Sequence, residues 1–421
     1  MALTLQTLRV ALVHDWLTGM RGGEKCLEVL CELFPHADLY TLVHRRGSVS
    51  KTIESRTVRE SWIARLPGGR RHYRWYVPLY PLAIESFDLT GYDLVISTSH
   101  CAAKGALTRA DTLHVCYCFT PVRYFWDLYP DYFGPGRGSA LGRALAPWIA
   151  HYFRIWDRVS ADRVDLFVAD SRHVRARIAK HYRRPARVIY PPVDTAFFTP
   201  ATIPAGQPDS GTAAAGAGGA AASPGVESAG GAAAPYLVVS ALVPYKGVER
   251  TIRVANRRRF PLRIVGTGPE ENRLRSIAGP TVRFDEWLSM EALRDAYRGS
   301  RALIQAHEED FGIAPLEAMA CGRPVIALRK GGAAEVVAAG TGVLFDEATE
   351  GGLERAVDEF ESRRFNPAEV RRHALGFDRQ VYREAMEALL HEAVEAFQRR
   401  EADPPGLDRL AGACAEQDTV V

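Results

Sequence analysis

The chain has 421 residues, 47% hydrophobic and 24% charged, with 53 basic against 50 acidic side chains. That length suits two or three domains with ample core, and a formal charge of +3 is too mild to argue for a nucleic-acid partner. No apolar run is long enough to cross a bilayer, and the opening MALTLQTLRVALVHDW lacks a cleavable-signal pattern, so the expected location is the cytoplasm.

In chain order, RVALVHD reads first as a strand, followed by a Gly-rich loop, TGMRGGEK, and a helix, CLEVLCELF. The segment RLPGGRRHYRWYVPLYPLAIESF mixes Arg65, Arg70, Arg71 and Arg74 with Tyr73, Trp75, Tyr76 and Tyr80. Basic and aromatic residues together suit peripheral contact with an anionic membrane face. The equal alternative is a loop whose aromatics pack on the first domain. DLVISTS, LHVCYCF, DLFVAD and ARVIYPP are further strands, short and continuous as parallel strands buried on both faces should be. Cys116 and Cys118 lie inside one of these apolar runs and are expected to pack there; the seven cysteines show no zinc spacing, and their odd number fits a reducing compartment.

From Ala201 to Pro235 almost every bulky apolar residue is missing, so this segment cannot offset the entropy of ordering itself and reads as a flexible insertion. The alternation resumes after it. YLVVSAL, LRIVGTG, VRFDEWL, RALIQA and RPVIAL are strands, separated by helices from about Val248, from Glu270 and over MEALRDAYRGS. The expected class is α/β, with two doubly wound Rossmann-like domains facing across a cleft. The boundaries expected are 1–198 for the first domain, on the acceptor side, 199–235 for the low-complexity linker and 236–376 for the second, nucleotide-sugar-binding domain. A C-terminal helix over 377–402, able to pack back on the first domain, and a disordered tail over 403–421 complete the chain.

The chemistry concentrates in AHEEDFGIAPLEAMACGRPVIA, Ala306 to Ala327. Pro315 suits the first turn of a helix, and Gly322 and Pro324 end it. Glu309 then sits on the loop leaving a strand, and Glu317 in the first turn of the helix. The carboxyl edge of an open α/β sheet is where ligands bind. The backbone N–H groups of Gly312, Ile313 and Ala314 offer an anion site, and each carboxylate can accept from a vicinal diol. The pair fits an anion flanked by two polyols, as in a nucleoside diphosphate sugar. Lys246 in SALVPYKGVER can neutralise a diphosphate, although alone it reads as readily as a solvated lysine. Gly266 and Gly268 in VGTGPE fail the full dinucleotide fingerprint because position 271 is Glu271, and read as a tight turn or as backbone lining a nucleotide.

These residues together resemble the E-x7-E motif of the retaining glycosyltransferases of family 4, with the GT-B fold, and look closest to the bacterial mannosyltransferases of surface polysaccharide assembly. KGGAAEVV and the lysine of LVPYKG extend the likeness, as do TGMRGGEK, SRHVRARI and VIYPPVDTAFF in the first half. The resemblance implies catalytic roles for Glu309, near the donor sugar, and Lys246, on the diphosphate. It implies donor contacts for Glu317 on the ribose, for Gly312, Ile313 and Ala314, and for Gly22 and Gly23; Gly266 and Gly268 join the expected donor-binding set only through their own reading as backbone lining. It implies a nucleotide-sugar donor, GDP-mannose above UDP-sugars, and a lipid-linked or polysaccharide acceptor. No cofactor is implied, and no D-x-D pair holds a metal. Two positions depart from the pattern: Ala241 stands where many members carry an arginine, and Phe119 where many carry a histidine. They motivate a second reading, a sugar-nucleotide-binding protein without turnover, unless a neighbour such as Arg123 compensates.

Overall fold

A computed structural model of the chain describes residues 5–134, 140–201 and 234–400. The expected linker, apart from its ends, and the expected tail lie outside these residues.

The first half builds a seven-stranded sheet. Its strands are β1 (Val10–His14), β2 (Asp38–Thr41), β3 (Val58–Glu60), β4 (Leu94–Ser99), β5 (Leu113–Cys118), β6 (Leu166–Ala169) and β7 (Ala186–Val188), in the order β3-β2-β1-β4-β5-β6-β7. The second half builds a six-stranded sheet from β8 (Tyr236–Val239), β9 (Leu262–Val265), β10 (Val282–Asp285), β11 (Leu303–Gln305), β12 (Val325–Leu328) and β13 (Gly342–Phe345), in the order β10-β9-β8-β11-β12-β13. Every pairing in both sheets is parallel. The central strands are buried on both faces, β1 along its whole length, which is why they read as unbroken apolar runs. In each sheet the chain order reverses beside the first strand, and loops leaving the carboxyl ends open a crevice there.

Three expectations are corrected. The first helix spans Gly22–Leu33, so GGEK forms its first turn rather than the loop. The Glu24 carboxylate accepts from the Arg21 N–H at 3.0 Å, satisfying a backbone donor at the helix start that two glycines would otherwise leave open. Glu317 is the fifth residue of helix Ile313–Ala320, one turn deeper than its first turn, and it is buried. Tyr73 and Tyr80 lie in the first-domain core with Trp16, so they cannot share a membrane-facing surface with the exposed Arg65, Arg70, Arg71, Arg74 and Trp75.

The last helix, Arg379–Arg400, packs on the first domain. Tyr382, Met386, Leu390 and Ala393 join Cys26, Leu27 and Leu30 in one cluster. Arg379 at the start of this helix bonds Glu28 at 2.8 Å and Glu32 at 2.7 Å. A chain that began in the first domain therefore returns to it and ties the two halves together.

Candidate active site

Lys246 closes a 3₁₀ turn, Pro244–Lys246, on the loop leaving β8. Gly247 follows with φ 63°, and a Cβ there would sit 2.6 Å from the Ala306 carbonyl oxygen, so only glycine lets this loop lie against the end of β11. That approach brings Lys246 Nζ into contact with the Glu309 carboxylate. Glu309 is fixed from behind by its backbone carbonyl, which accepts from the Gly332 N–H at 2.9 Å, and His307 Nε2 stands 3.2 Å from Oε2, the same carboxylate oxygen that Lys246 contacts.

The first domain supplies a second cation. Arg123, on the loop leaving β5, places Nη1 3.3 Å from Glu309 and 3.0 Å from Asp310, and donates from Nη2 to the Tyr245 hydroxyl at 3.2 Å. Arg177 of helix Arg172–His181 also contacts Asp310. Burial, reinforced by the Arg123 charge and opposed by Asp310, lowers the Lys246 pKa to about 7. The Glu309 carboxylate in contact with it favours the charged form. Three cations and two carboxylates thus share a mostly buried cluster, where each charge counts for more than in water.

Glu317 lies on the following helix, facing elsewhere. It accepts from the Tyr297 hydroxyl at 2.7 Å and contacts Lys25 Nζ of the first domain. Gly22 sits beside Lys25 in the turn order, and a Cβ on it would come 3.0 Å from Ile313 Cδ1. Gly23 faces the Phe119 ring, 3.2 Å from where a Cβ would be. Gly312 has φ 87°, and its N–H begins the row of amides that continues through Ile313 and Ala314 at the helix start. Gly22, Gly23, Gly312, Ile313, Glu309, Glu317 and Lys246 therefore converge on one cleft. Gly266 and Gly268 answer a different demand: a Cβ would lie 1.9 Å from the Ser240 carbonyl and 2.3 Å from that of Leu242, so both let the β9 loop pass the second domain's own backbone.

Two carboxylates organise the cleft without entering it. Asp15, buried after β1, accepts from the N–H groups of His100, Cys101, Ala102 and Ala103 at 2.6–2.9 Å and from the His100 ring at 3.0 Å. Burial pushes its pKa up, but the His100 charge and hydrogen bonds win and hold it far below the ordinary range. Glu335 of the second domain accepts from the N–H groups of Arg172 and His173 at 2.8 Å each, capping a first-domain helix. Lys25, Asp310, Arg177, Tyr297, Asp15 and Glu335 were not singled out by sequence. Their partners lie up to 292 residues away, as with Lys25 and Glu317, so local pattern carries no signal for them.

Two parallel-sheet Rossmann-like domains closing on such a cleft are the GT-B fold. The chain joins two known domain families across it: residues 21–197 match Glycosyltransferase Family 4, and residues 233–375 match Glycosyl transferases group 1. A D-inositol 3-phosphate glycosyltransferase of Acidothermus cellulolyticus is 35% identical over 132 residues, 26% of this chain and 29% of that protein. The chain thus spans less than a third of the length of the curated relatives it matches. Among solved structures, sucrose-phosphate synthase from Thermosynechococcus elongatus superposes with a TM-score of 0.65 at 16% identity, covering 92% of this chain and 100% of that one. HepE from Anabaena, solved with UDP and glucose, gives 0.59 at 17% identity, covering 91% and 100%. These are likenesses of fold.

Proposed function

We propose that the protein is a retaining glycosyltransferase that moves a hexose from a nucleotide sugar to a lipid-linked or polysaccharide acceptor in cell-surface glycan synthesis, with mannose from GDP-mannose as the donor. One observation carries the reading: two cations from opposite domains, Lys246 and Arg123, meet on Glu309 beside the amides that start helix Ile313–Ala320. As they stand, these cations are balanced by carboxylates. A diphosphate placed between them would take both over and leave Glu309 to accept from sugar hydroxyls. Glu317, further along the helix, would exchange Lys25 for the ribose diol.

Breaking the anomeric bond leaves positive charge on the sugar and negative charge on the diphosphate. Lys246, Arg123 and the amides from Gly312 to Ala314 are placed to stabilise the latter. Because the site's own side chains provide this positive charge, we propose that no metal ion takes part, with unchanged turnover in chelator as the test. Arg123 also answers the missing arginine at Ala241, which supports an enzyme over a binding protein without turnover.

The mannose assignment rests on the likeness of the Glu309–Ala327 stretch to bacterial polysaccharide mannosyltransferases. A UDP-sugar donor is the second reading, favoured by the fold shared with HepE, whose structure holds UDP-glucose. Thermal shift against GDP, UDP and their hexose sugars decides between them. A ligand at a hundredfold over its Kd adds about 2.7 kcal/mol, a clear rise in Tm. Slow release of free mannose from GDP-mannose supports the first reading; a response to UDP-glucose alone overturns it in favour of the second. Binding without sugar release, with or without an added glycan acceptor, favours the protein without turnover.

A further inference from the structure

The helix Ala140–Ser160 carries an apolar stripe that no part of the described chain covers. Leu145, Trp148, Tyr152, Ile155 and Val159 are between 44% and 76% exposed. Their spacing of three and four residues puts them on one face, a strip of about 21 Å. The opposite face is ordinary core: Ala150, Phe153 and Trp156 pack with Val122 and Phe125. Among the described residues nothing packs on this stripe, and a contiguous exposed apolar face of this kind marks an interaction site. No helix among the described residues is long and apolar enough to cross a membrane.

We infer that this face docks the protein on an anionic lipid bilayer, with the helix lying in the plane of the headgroups. Charge selects that occupant. The only acid in the helix, Asp157, is buried against Lys104 at 2.9 Å, while His151 is exposed and Arg154 and Arg158 flank the stripe. Arg158 is partly offset by Asp162 at 2.7 Å. The neighbouring helix, Tyr80–Glu85, is tied on by the Trp156 ring N–H, which donates to Glu85 at 2.7 Å, and it turns Leu82 outward. The segment leading into it holds no acid from Ser61 to Ile84 and exposes Arg65, Arg70, Arg71, Arg74 and Trp75. Arg70 pairs with Glu60 at 2.5 Å, which leaves three exposed arginines outside that pair. Basic residues beside an amphipathic helix bearing Trp and Tyr are what an acidic headgroup layer attracts.

The same three-four spacing would suit a coiled coil with a second copy. That arrangement wants opposite charges on the flanks, and here two copies would set basic flanks against each other. Arg154 of this helix lies over the Tyr129 ring at 5.1 Å, on the segment that reaches the cleft. Tyr132, a few residues before the helix, has its ring 5.7 Å from that of Tyr245, next to Lys246. A bilayer under the helix would bring a lipid-linked acceptor to the mouth of the donor site. This deepens the acceptor reading proposed above, yet its test needs no sugar donor, so the two can fail separately.

The test is sedimentation of the full chain with sucrose-loaded vesicles of phosphatidylcholine, with and without phosphatidylglycerol. The wild type should bind the phosphatidylglycerol vesicles, more weakly as salt rises, and bind pure phosphatidylcholine at least tenfold less. Trp148→Ser with Ile155→Ser should cut partitioning at least tenfold while leaving Tm unchanged, since neither side chain is in the core. Arg71→Gln with Arg74→Gln should reduce binding and weaken its salt dependence. Wild-type protein that ignores both vesicles, or serine variants that still bind like wild type, would overturn the inference. So would a wild-type dimer in light scattering that the serine variants convert to monomer, because the stripe would then belong to a second copy.

Discussion

Lys25 and Glu317 meet across the cleft, one in the first helix of the chain and the other in the helix after β11. Glu317 is buried, and its carboxylate is held by Lys25 and by the Tyr297 hydroxyl at 2.7 Å. The residue expected to hold the donor ribose is thus also a latch between domains, and the ribose must displace the latch to bind. Lys25→Met should lower stability by about 2 kcal/mol, because it leaves a buried carboxylate with one partner. Urea unfolding reads this directly. A variant as stable as wild type would mean that the pair contributes nothing to holding the domains together.

The two glutamates should fail differently. Glu317 is assigned to the ribose, which does not change during reaction, so Glu317→Ala should mainly raise KM and weaken free GDP. Glu309 is assigned to the sugar, where charge develops, so Glu309→Ala should mainly lower kcat. Loss of charge-assisted hydrogen bonds suggests roughly 2–4 kcal/mol in each case. Calorimetry with GDP beside steady-state kinetics separates them. If Glu309→Ala abolishes GDP binding and Glu317→Ala spares it, the donor lies the other way round.

Arg123 reaches Glu309, Asp310 and Tyr245 from the first domain. Placed to stabilise the leaving diphosphate, it should behave as an electrostatic donor whose removal costs about 100-fold in kcat. Arg123→Lys should recover little, since a single ammonium cannot span the same three partners. Turnover of either variant near the wild-type rate would leave the diphosphate charge to Lys246 and the helix start alone.

Burial lowers the Lys246 pKa to about 7, so donor binding at the proposed site should depend on pH. Between pH 7 and the unfolded value of about 10.4 the native chain binds fewer protons at this site than the unfolded chain, so its contribution to stability rises with pH. Diphosphate binding needs the ammonium, so it must take up a proton in that window, and GDP affinity should fall by up to about tenfold per pH unit above 7. Calorimetry at pH 8 in buffers of different ionisation enthalpy should report the uptake, and Lys246→Met should lose it. Buffer-independent heats for the wild type would contradict the shifted pKa.

Much of this was readable from punctuation and run length. Gly312, Pro315, Gly322 and Pro324 bracket the helix that carries Glu317, and Lys246-Gly247 marks the loop before the next helix. What escaped was short, marginal or distant. β2 has only four residues, and β3, at the sheet edge, is three partly exposed residues with two charges, so neither forms an apolar run. Lys25 and Arg177 sit on helix surfaces among other charged residues and look solvated until the second domain is placed over them. The face of Ala140–Ser160 has clear helical spacing, yet spacing alone cannot tell a core stripe from an exposed one.

Asp15 offers a last test, because its partners are backbone and its charge is essential to them. Four N–H groups and the His100 ring converge on one buried carboxylate. Asp15→Asn keeps the shape but turns one acceptor oxygen into a donor aimed at donors, which should cost about 3 kcal/mol at pH 7. The pH dependence has a definite sign. The folded pKa lies below the unfolded value of about 3.9, so this group's stabilisation is fully present above that value and is lost as pH falls towards the folded one. The gap between wild type and Asp15→Asn in urea unfolding should therefore narrow as pH falls below about 4. A gap that widens on acidification would mean that the carboxylate is protonated in the native state, and that the loop carrying His100 is held by something else.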